Sequence, residues 1–277
     1  MLRLGQHPIV FTDLDGTLLD HNDYRTDAVE PVLTTLIQAG IPVIPTTSKT
    51  FSELQSLMPK LRLNTPFIVE NGAALFIPKE MQINPPQGCD SVEGYWRKSF
   101  TQNRRHWQPY IEQAKHEFEG CFRLMTEMSA AEVAKLTGLS EEESKQALQR
   151  GYGEPVKWLG NAEQEQQFIV YMQQQGATVL KGGRFLHIGG RAQKGIAMAW
   201  LMDMYQQIDR SKDWFSIALG DSHNDISMLE AADVAIRIRS QHHDFPILNR
   251  EQGILDSHQY GPQGWAECMK KILLLDE

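Results

Sequence analysis

Short apolar runs bounded by turn residues recur toward both ends of the chain: Ile9-Val10-Phe11, Ile41-Pro42-Val43-Ile44, Phe67-Ile68-Val69, Phe215-Ser216-Ile217-Ala218-Leu219 and Val234-Ala235-Ile236. Each is too short for a helix and predicts a strand, while the run Ile196, Ala197, Met198, Ala199, Trp200, Leu201 and Met202 predicts a helix between two of them. Apolar strands alternating with helices build an α/β fold, a doubly wound, Rossmann-like core whose parallel sheet carries helices on both faces.

The middle of the chain reads differently. After Asn84-Pro85-Pro86-Gln87-Gly88 comes a helical pattern with Trp107, Ile111, Ala114 and Phe118 on one face, a stripe that belongs to a core. Ser129 with Glu132 and Ser140 with Glu143 are capping boxes, each opening a short helix, ended near Gly138 and Gly151. A strand over 156–159, a helix over 161–176 and strands over 178–180 and 184–187 follow. The expected organisation is an α/β cap domain inserted at 85–188, between two segments of a catalytic core domain, 1–84 and 189–277.

Four polar clusters stand at the ends of the predicted core elements. In Asp13-Leu14-Asp15-Gly16-Thr17 two carboxylates leave the first strand two residues apart, and on extended backbone they share one side, a geometry that suits a metal. An Asx turn explains the same residues without any ligand. A helix-flanked calcium loop is excluded, because the further acids and the terminal Glu it needs are missing. The second cluster, Gly220-Asp221-Ser222-His223-Asn224-Asp225, also follows an apolar strand. Helix capping accounts for part of it, but not for the position of both clusters at the carboxyl ends of strands, where open parallel sheets bind ligands. Lys194, in Arg191-Ala192-Gln193-Lys194-Gly195, opens a helix where the dipole disfavours a cation, so it is either a functional group or a solvated lysine. Thr46-Thr47-Ser48-Lys49-Thr50 is a hydroxyl-rich turn that either caps the next helix or holds a phosphate oxygen.

In their order and spacing these four clusters resemble the motifs of the haloacid dehalogenase-like phosphatase superfamily. The resemblance implies that Asp13 is the nucleophile, Asp15 the general acid and base, Thr47 a phosphate-orienting hydroxyl, Lys194 the positive partner of the phosphate, and Asp221 a metal ligand. It further implies a metal held by Asp13, Asp15 and Asp221, with Asp225 supporting the metal or Lys194, and with Ser48, Lys49 and Asn224 on the substrate side. The chemistry needs such a cation, because a phosphate ester among carboxylates sets like charges together, each close pair costing about 4 kcal/mol at an effective dielectric near 20. Oxygen-only ligands suit Mg²⁺, and no His/Cys cluster argues for zinc.

Ser48-Lys49-Thr50, Gly182-Gly183-Arg184-Phe185-Leu186-His187 and Gly261-Pro262-Gln263-Gly264-Trp265 make the chain most similar to the mannosyl-3-phosphoglycerate phosphatase branch of that superfamily. That similarity implies hydrolysis of mannosyl-3-phosphoglycerate or its glucosyl analogue, with Arg184 as a cation for the glycerate carboxylate. The bland alternatives are a surface arginine at 184 and a packed core histidine at 187. Other functions on the same motifs are a phosphatase of another sugar phosphate, a phosphomannomutase-type phosphotransferase, and a catalytically silent binding protein.

Composition narrows the partners. With 277 residues, 41% apolar and 22% charged, the chain can bury a core, and its net charge of −8 disfavours nucleic acid and anionic membranes. The partner expected is a small-molecule phosphate ester. Cys89, Cys121 and Cys268 show no paired spacing, and no signal-peptide pattern or bilayer-long apolar run occurs, which predicts a cytoplasmic protein.

Overall fold

A computed structural model describes residues 5–20, 25–82, 84–182 and 184–273; Gly183, part of the motif expected to end the cap, lies outside them. The chain forms two compact units. The first comprises Met1–Ser48, Arg62–Lys98 and Gln193–Glu277, and the second Lys49–Leu61 and Ser99–Ala192.

In chain order the elements are β1 (Gln6–Thr12), α1 (Glu30–Gln38), β2 (Val43–Pro45), α2 (Phe51–Leu57), β3 (Phe67–Val69), β4 (Ala74–Pro78), β5 (Asp90–Val92), β6 (Tyr95–Ser99), α3 (Arg104–Glu117), β7 (Phe122–Leu124), α4 (Ala130–Thr137), α5 (Glu141–Ala147), β8 (Glu154–Trp158), α6 (Ala162–Gln174), β9 (Thr178–Lys181), β10 (Leu186–Gly189), α7 (Lys194–Ile208), β11 (Asp213–Gly220), α8 (Ile226–Ala231), β12 (Val234–Arg239), β13 (Ile254–Tyr260) and α9 (Gly261–Leu273).

The first unit is built on a parallel sheet in the order β13-β12-β11-β1-β2. The apolar runs named above supply its centre. Ile9, Val10, Phe11, Ile44, Ile217, Leu219 and Ile236 have no solvent exposure, each contributing about 1.5–3 kcal/mol through burial. A second sheet, β3-β4-β6-β5, starts from the Phe67 strand, and Ile68 also bridges to Thr46 just past β2.

The unit boundaries differ from the expected 85 and 189. Strands β5 and β6 belong to the same sheet as β3 and β4, so residues 85–98 lie with the core unit, and strand pairing rather than the Pro-rich stretch sets the limit. Residues 49–61 join the second unit instead, because α2 packs on α5. There the Thr50 hydroxyl donates to the Gln146 carbonyl at 3.0 Å, and Gln146 Nε2 donates to the Ser56 hydroxyl at 2.7 Å.

The second unit has an antiparallel sheet, β7-β8-β10-β9. The Trp107, Ile111 and Ala114 stripe of α3 packs with Phe168 and Met172 of α6 over Val156 and Ile188 of the sheet. Both serine capping boxes form, and α4 ends on left-handed Gly138 as its sequence predicts, whereas α5 stops at Ala147, short of Gly151. Among the described residues no helix is long and apolar enough to cross a membrane.

Candidate active site

Adjacent parallel strands deliver the two acidic clusters to one place. Thr12 of β1 is in register with Leu219 of β11, and the Asp13 N–H donates to the Leu219 carbonyl at 2.9 Å, so Asp13 and Asp221 emerge side by side at the carboxyl end of the sheet. Lys194 stands between Asp13 and Asp225. Its Nζ lies 2.5 Å from Asp13 Oδ1 and 2.7 Å from Asp225 Oδ1, and its side chain has no solvent exposure. It is therefore not a solvated lysine. Two carboxylates hold a cation in a first helical turn that the helix dipole disfavours.

Asp225 binds through both oxygens: Oδ1 faces Lys194, while Oδ2 accepts the N–H groups of Asp221 at 3.1 Å and Ser222 at 3.0 Å. The Thr17 hydroxyl donates to Asp221 Oδ1 at 3.3 Å. Gly16, with φ +82°, approaches so closely that a Cβ there would sit 2.9 Å from Asp221 Oδ2.

Burial is the largest influence on the carboxyls. It raises Asp13 well above the usual carboxylate range; Lys194 opposes it, and Asp225, Asp221 and Asp15 add to it. Asp221 is pushed up to about 6, by burial first and then by Asp225, against the opposing effects of His243, Lys194 and Thr17. Burial pulls Lys194 down, but Asp13 and Asp225 together carry it above its ordinary value. The shifts of Asp13 and Asp221 record carboxyls crowded together out of water around one ammonium.

Ligand oxygens of Asp13, Asp221 and Asp225 lie within 4.8 Å of one another, all three residues buried. Three buried carboxylates against one buried ammonium fit a hard divalent cation. The expected set is Asp13, Asp15 and Asp221, with Asp225 in support of the metal or of Lys194. That expectation placed Asp13 and Asp15 on extended backbone, whereas β1 ends at Thr12 and the chain turns at once, Gly16 N–H donating to the Leu19 carbonyl and Leu19 N–H to the Leu14 carbonyl. Period-two alternation does not extend into such a loop, and Asp15 is half-buried outside the three-acid group.

Thr47 is buried, its N–H donating to the Ile68 carbonyl and its own carbonyl accepting from the Asn71 N–H, each at 2.9 Å. Asn224 Nδ2 donates to Asn71 Oδ1 at 2.9 Å. Ser48 is the last residue of the first unit before the chain passes into the second at Lys49, whose Nζ is 3.9 Å from Glu53. Arg184 also belongs to the second unit, where its exposed guanidinium donates to the Thr137 carbonyl at 2.5 Å. His187 is drawn down to about 4 by burial and by Arg150.

The sequence reading overlooked three residues. His243 Nε2 lies 3.4 Å from Asp221 Oδ2, supplied by a loop after β12 with no periodic signal. Trp265 stands in the reading only as part of a C-terminal motif, and Asn71 is missing from it, although Asn-Gly after an apolar run is itself a turn signal.

A family model described as haloacid dehalogenase-like hydrolase matches residues 10–92. A glucosyl-3-phosphoglycerate/mannosyl-3-phosphoglycerate phosphatase of Persephonella marina is 32% identical over 266 residues, spanning 96% of this chain and 97% of its own. The protein of that description from Methanococcoides burtonii is 33% identical over 267 residues, again 96% of this chain and 97% of its own. The solved structure of a haloalkanoate (HAD) superfamily phosphatase from Bacteroides thetaiotaomicron shares the fold, with a TM-score of 0.67 at 17% identity, covering 99% of this chain and 98% of that one. The chain belongs to the haloacid dehalogenase-like hydrolase family, and within it is a phosphatase. Its substrate is a small-molecule phosphate ester.

Proposed function

We propose that this phosphatase uses Mg²⁺ and hydrolyses mannosyl-3-phosphoglycerate or glucosyl-3-phosphoglycerate to the glycosylglycerate and inorganic phosphate. The observation that carries the substrate is the full-length similarity to two phosphatases whose descriptions name both esters. Asp13, Asp15 and Asp221 would hold the Mg²⁺, which when bound would supply positive charge to the phosphoryl oxygens.

The chain's own groups carry the two steps. Asp13 attacks phosphorus, the ester P–O bond breaks as the aspartyl-phosphate forms, and Asp15 gives its proton to the leaving alkoxide. In the second step Asp15 takes a proton from water, the water oxygen attacks phosphorus, and the bond to Asp13 breaks to release phosphate. Lys194, buried against Asp13, supports its ionised form and meets charge developing on the transferred group. Asp225 fixes the Lys194 ammonium and the loop that bears Asp221. Thr47, Ser48 and Asn224 are assigned to the phosphate oxygens. The inserted unit is assigned the choice of substrate, through Lys49 and Arg184. A cytoplasmic site of action belongs to the same reading, supported by the free thiols of Cys89, Cys121 and Cys268.

The test is phosphate release from mannosyl- and glucosyl-3-phosphoglycerate, simple sugar phosphates and nucleotides, with Mg²⁺ and with chelator, for the natural chain and Asp13→Asn. The expected result is turnover of a glycosyl phosphoglycerate that needs Mg²⁺ and Asp13. Preference for another ester overturns the substrate, and turnover that survives complete chelation overturns the metal.

A further inference from the structure

The turn after β3 is unusual. Glu70 has φ 47°, Asn71 φ 60° and ψ 35°, and Gly72 φ +93°, three successive residues in the left-handed region of which only one is glycine. A non-glycine residue held there costs of order 1–3 kcal/mol, and it persists only where its surroundings over-determine it. Asparagine tolerates the conformation better than most residues.

The surroundings here are the phosphate-side loops of the site. The Asn71 N–H donates to the Thr47 carbonyl at 2.9 Å, which ties the turn to the hydroxyl-rich loop. Its side-chain oxygen accepts from Asn224 Nδ2 at 2.9 Å, while Asn224 Oδ1 accepts the Ser222 hydroxyl at 2.5 Å. The next residue, Gly72, passes so close to the start of α7 that a Cβ would lie 2.3 Å from the Gln193 carbonyl, one residue before Lys194. One three-residue turn thus touches the loops that carry Thr47, Asn224 and Lys194.

We propose that Asn71 is a positioning residue for phosphate binding, setting which end of the Asn224 side-chain amide the phosphate meets. An amide presents either a carbonyl oxygen or an NH₂ group, and the two ends differ little in shape. The Asn71 oxygen accepting from its NH₂ and the Ser222 hydroxyl donating to its carbonyl oxygen hold the Asn224 amide in one orientation. Asn71 takes one of the two Asn224 N–H groups, and the second remains to donate to a phosphate oxygen. Without the Asn71 acceptor the amide turns over at little cost, and its carbonyl oxygen then faces an anion. The strained backbone serves this placement, since it is the left-handed conformation that lets one residue reach Thr47 through its N–H and Asn224 through its side chain.

The inference rests on the assignment of Asn224 to the phosphate, so the experiment separates the two. Asn71→Gly keeps the backbone conformation at no steric cost and removes the side-chain acceptor. Steady-state kinetics and competitive inhibition by inorganic phosphate are measured for Asn71→Gly, Asn224→Ala and the double variant, with the Tm of each. Asn71→Gly is expected to raise KM and the phosphate inhibition constant at least fivefold, to leave Tm unchanged or raised, and to add less than twofold in the Asn224→Ala background. Equal losses in both backgrounds, or no loss for Asn71→Gly where Asn224→Ala is impaired, overturn the role of Asn71 while leaving Asn224 in place. An Asn224→Ala enzyme with unaltered KM and phosphate inhibition overturns both assignments.

Discussion

The indole Nε1 of Trp265 donates a 3.0 Å hydrogen bond to the hydroxyl of Thr12, the residue immediately before Asp13. Both side chains have no solvent exposure, and the Thr12 hydroxyl donates onward to the Asp13 carbonyl at 2.7 Å. The N-terminal part of α9 and the end of β1 are thereby joined directly behind Asp13. Trp265→Phe keeps a ring and removes the donor, so unfolding stability should fall by about 0.5–1.5 kcal/mol. Trp265→Ala should cost about 3–5 kcal/mol through the cavity it leaves. Urea unfolding midpoints check both values, and equal losses for the two variants would show that packing plays no part.

Lys194 makes a sharper test of the site's electrostatics. With Asp13 at 2.5 Å and Asp225 at 2.7 Å, it is the buried cation that both carboxylates face. Lys194→Met fills similar space and leaves two buried acids without it, a change that costs about 3–5 kcal/mol where a buried pair loses one partner. Activity should fall at least a hundredfold, comparable with the loss of one preorganised donor to a transition state. A Lys194→Met protein as stable and active as the natural chain would return Lys194 to an incidental role.

How much of this was legible beforehand depended on the reach of each signal. The apolar runs that became β1, β3, β11 and β12 needed only local pattern, and so did the serine capping boxes of α4 and α5. Strand β13, Ile-Leu-Asp-Ser-His-Gln-Tyr, carries too few apolar residues to stand out, because it pairs at the edge of the sheet. The small β5–β6 pair was mistaken for the start of the insertion, since a Pro-rich stretch reads as a linker whether or not the strands beyond it return to the core. In the candidate site, Asp13, Lys194 and Asp221 could be singled out because each follows or opens an element with its own pattern. Asn71 and His243 reach the same place through contacts across 153 residues in one case and from a loop without periodicity in the other; the Asn-Gly pair marks a turn but not the partner it meets.

His187 sets a pH dependence of stability in the second unit. Its imidazole is drawn from an ordinary 6.5 down to about 4, by burial first and then by Arg150. Above pH 6.5 the folded and unfolded forms are both neutral, and the stability is fully present. As pH falls from 6.5 toward 4 the unfolded chain takes up a proton that the folded chain refuses, so stability is lost across that window and no further below it. The loss should reach at most about 3 kcal/mol, less in practice because the ring keeps some contact with water. Urea midpoints at pH 7 and pH 5 should differ more for the natural chain than for His187→Gln, and identical differences would remove His187 as the cause.

Metal binding should be visible without any substrate. The three-acid group brings carboxyl oxygens together in the folded state only, where a divalent cation can bind them, so Mg²⁺ should raise the Tm of chelator-treated protein. At a hundredfold excess over Kd the gain is about 2.7 kcal/mol, equivalent to several degrees for a chain of this size. Asp221→Asn should lose most of the shift because it removes one of the ligands assigned to the metal, whereas a substitution at exposed Asp90, in the β5–β6 pair, should keep it. A chain whose Tm is indifferent to Mg²⁺ at millimolar concentration would not be using this cluster to hold the ion.

Arg184 separates substrate choice from chemistry. In the structure its guanidinium donates to the carbonyl of Thr137, the last residue of α4, and a guanidinium carries five N–H groups, so this bond leaves donors for a carboxylate. Arg184→Ala should lower kcat/KM for a glycosyl phosphoglycerate at least tenfold, the scale of a lost hydrogen bond to a charged group. Hydrolysis of p-nitrophenyl phosphate, which has no carboxylate for the arginine to meet, should change less than twofold. Arg184→Lys keeps the charge but not the planar fork, and should fall between the two because a single ammonium reproduces only part of a bidentate contact. If Arg184 only anchors the end of α4, Arg184→Ala should lower Tm and slow both substrates alike, and measurement of the two esters on one preparation distinguishes an anchor from a selector.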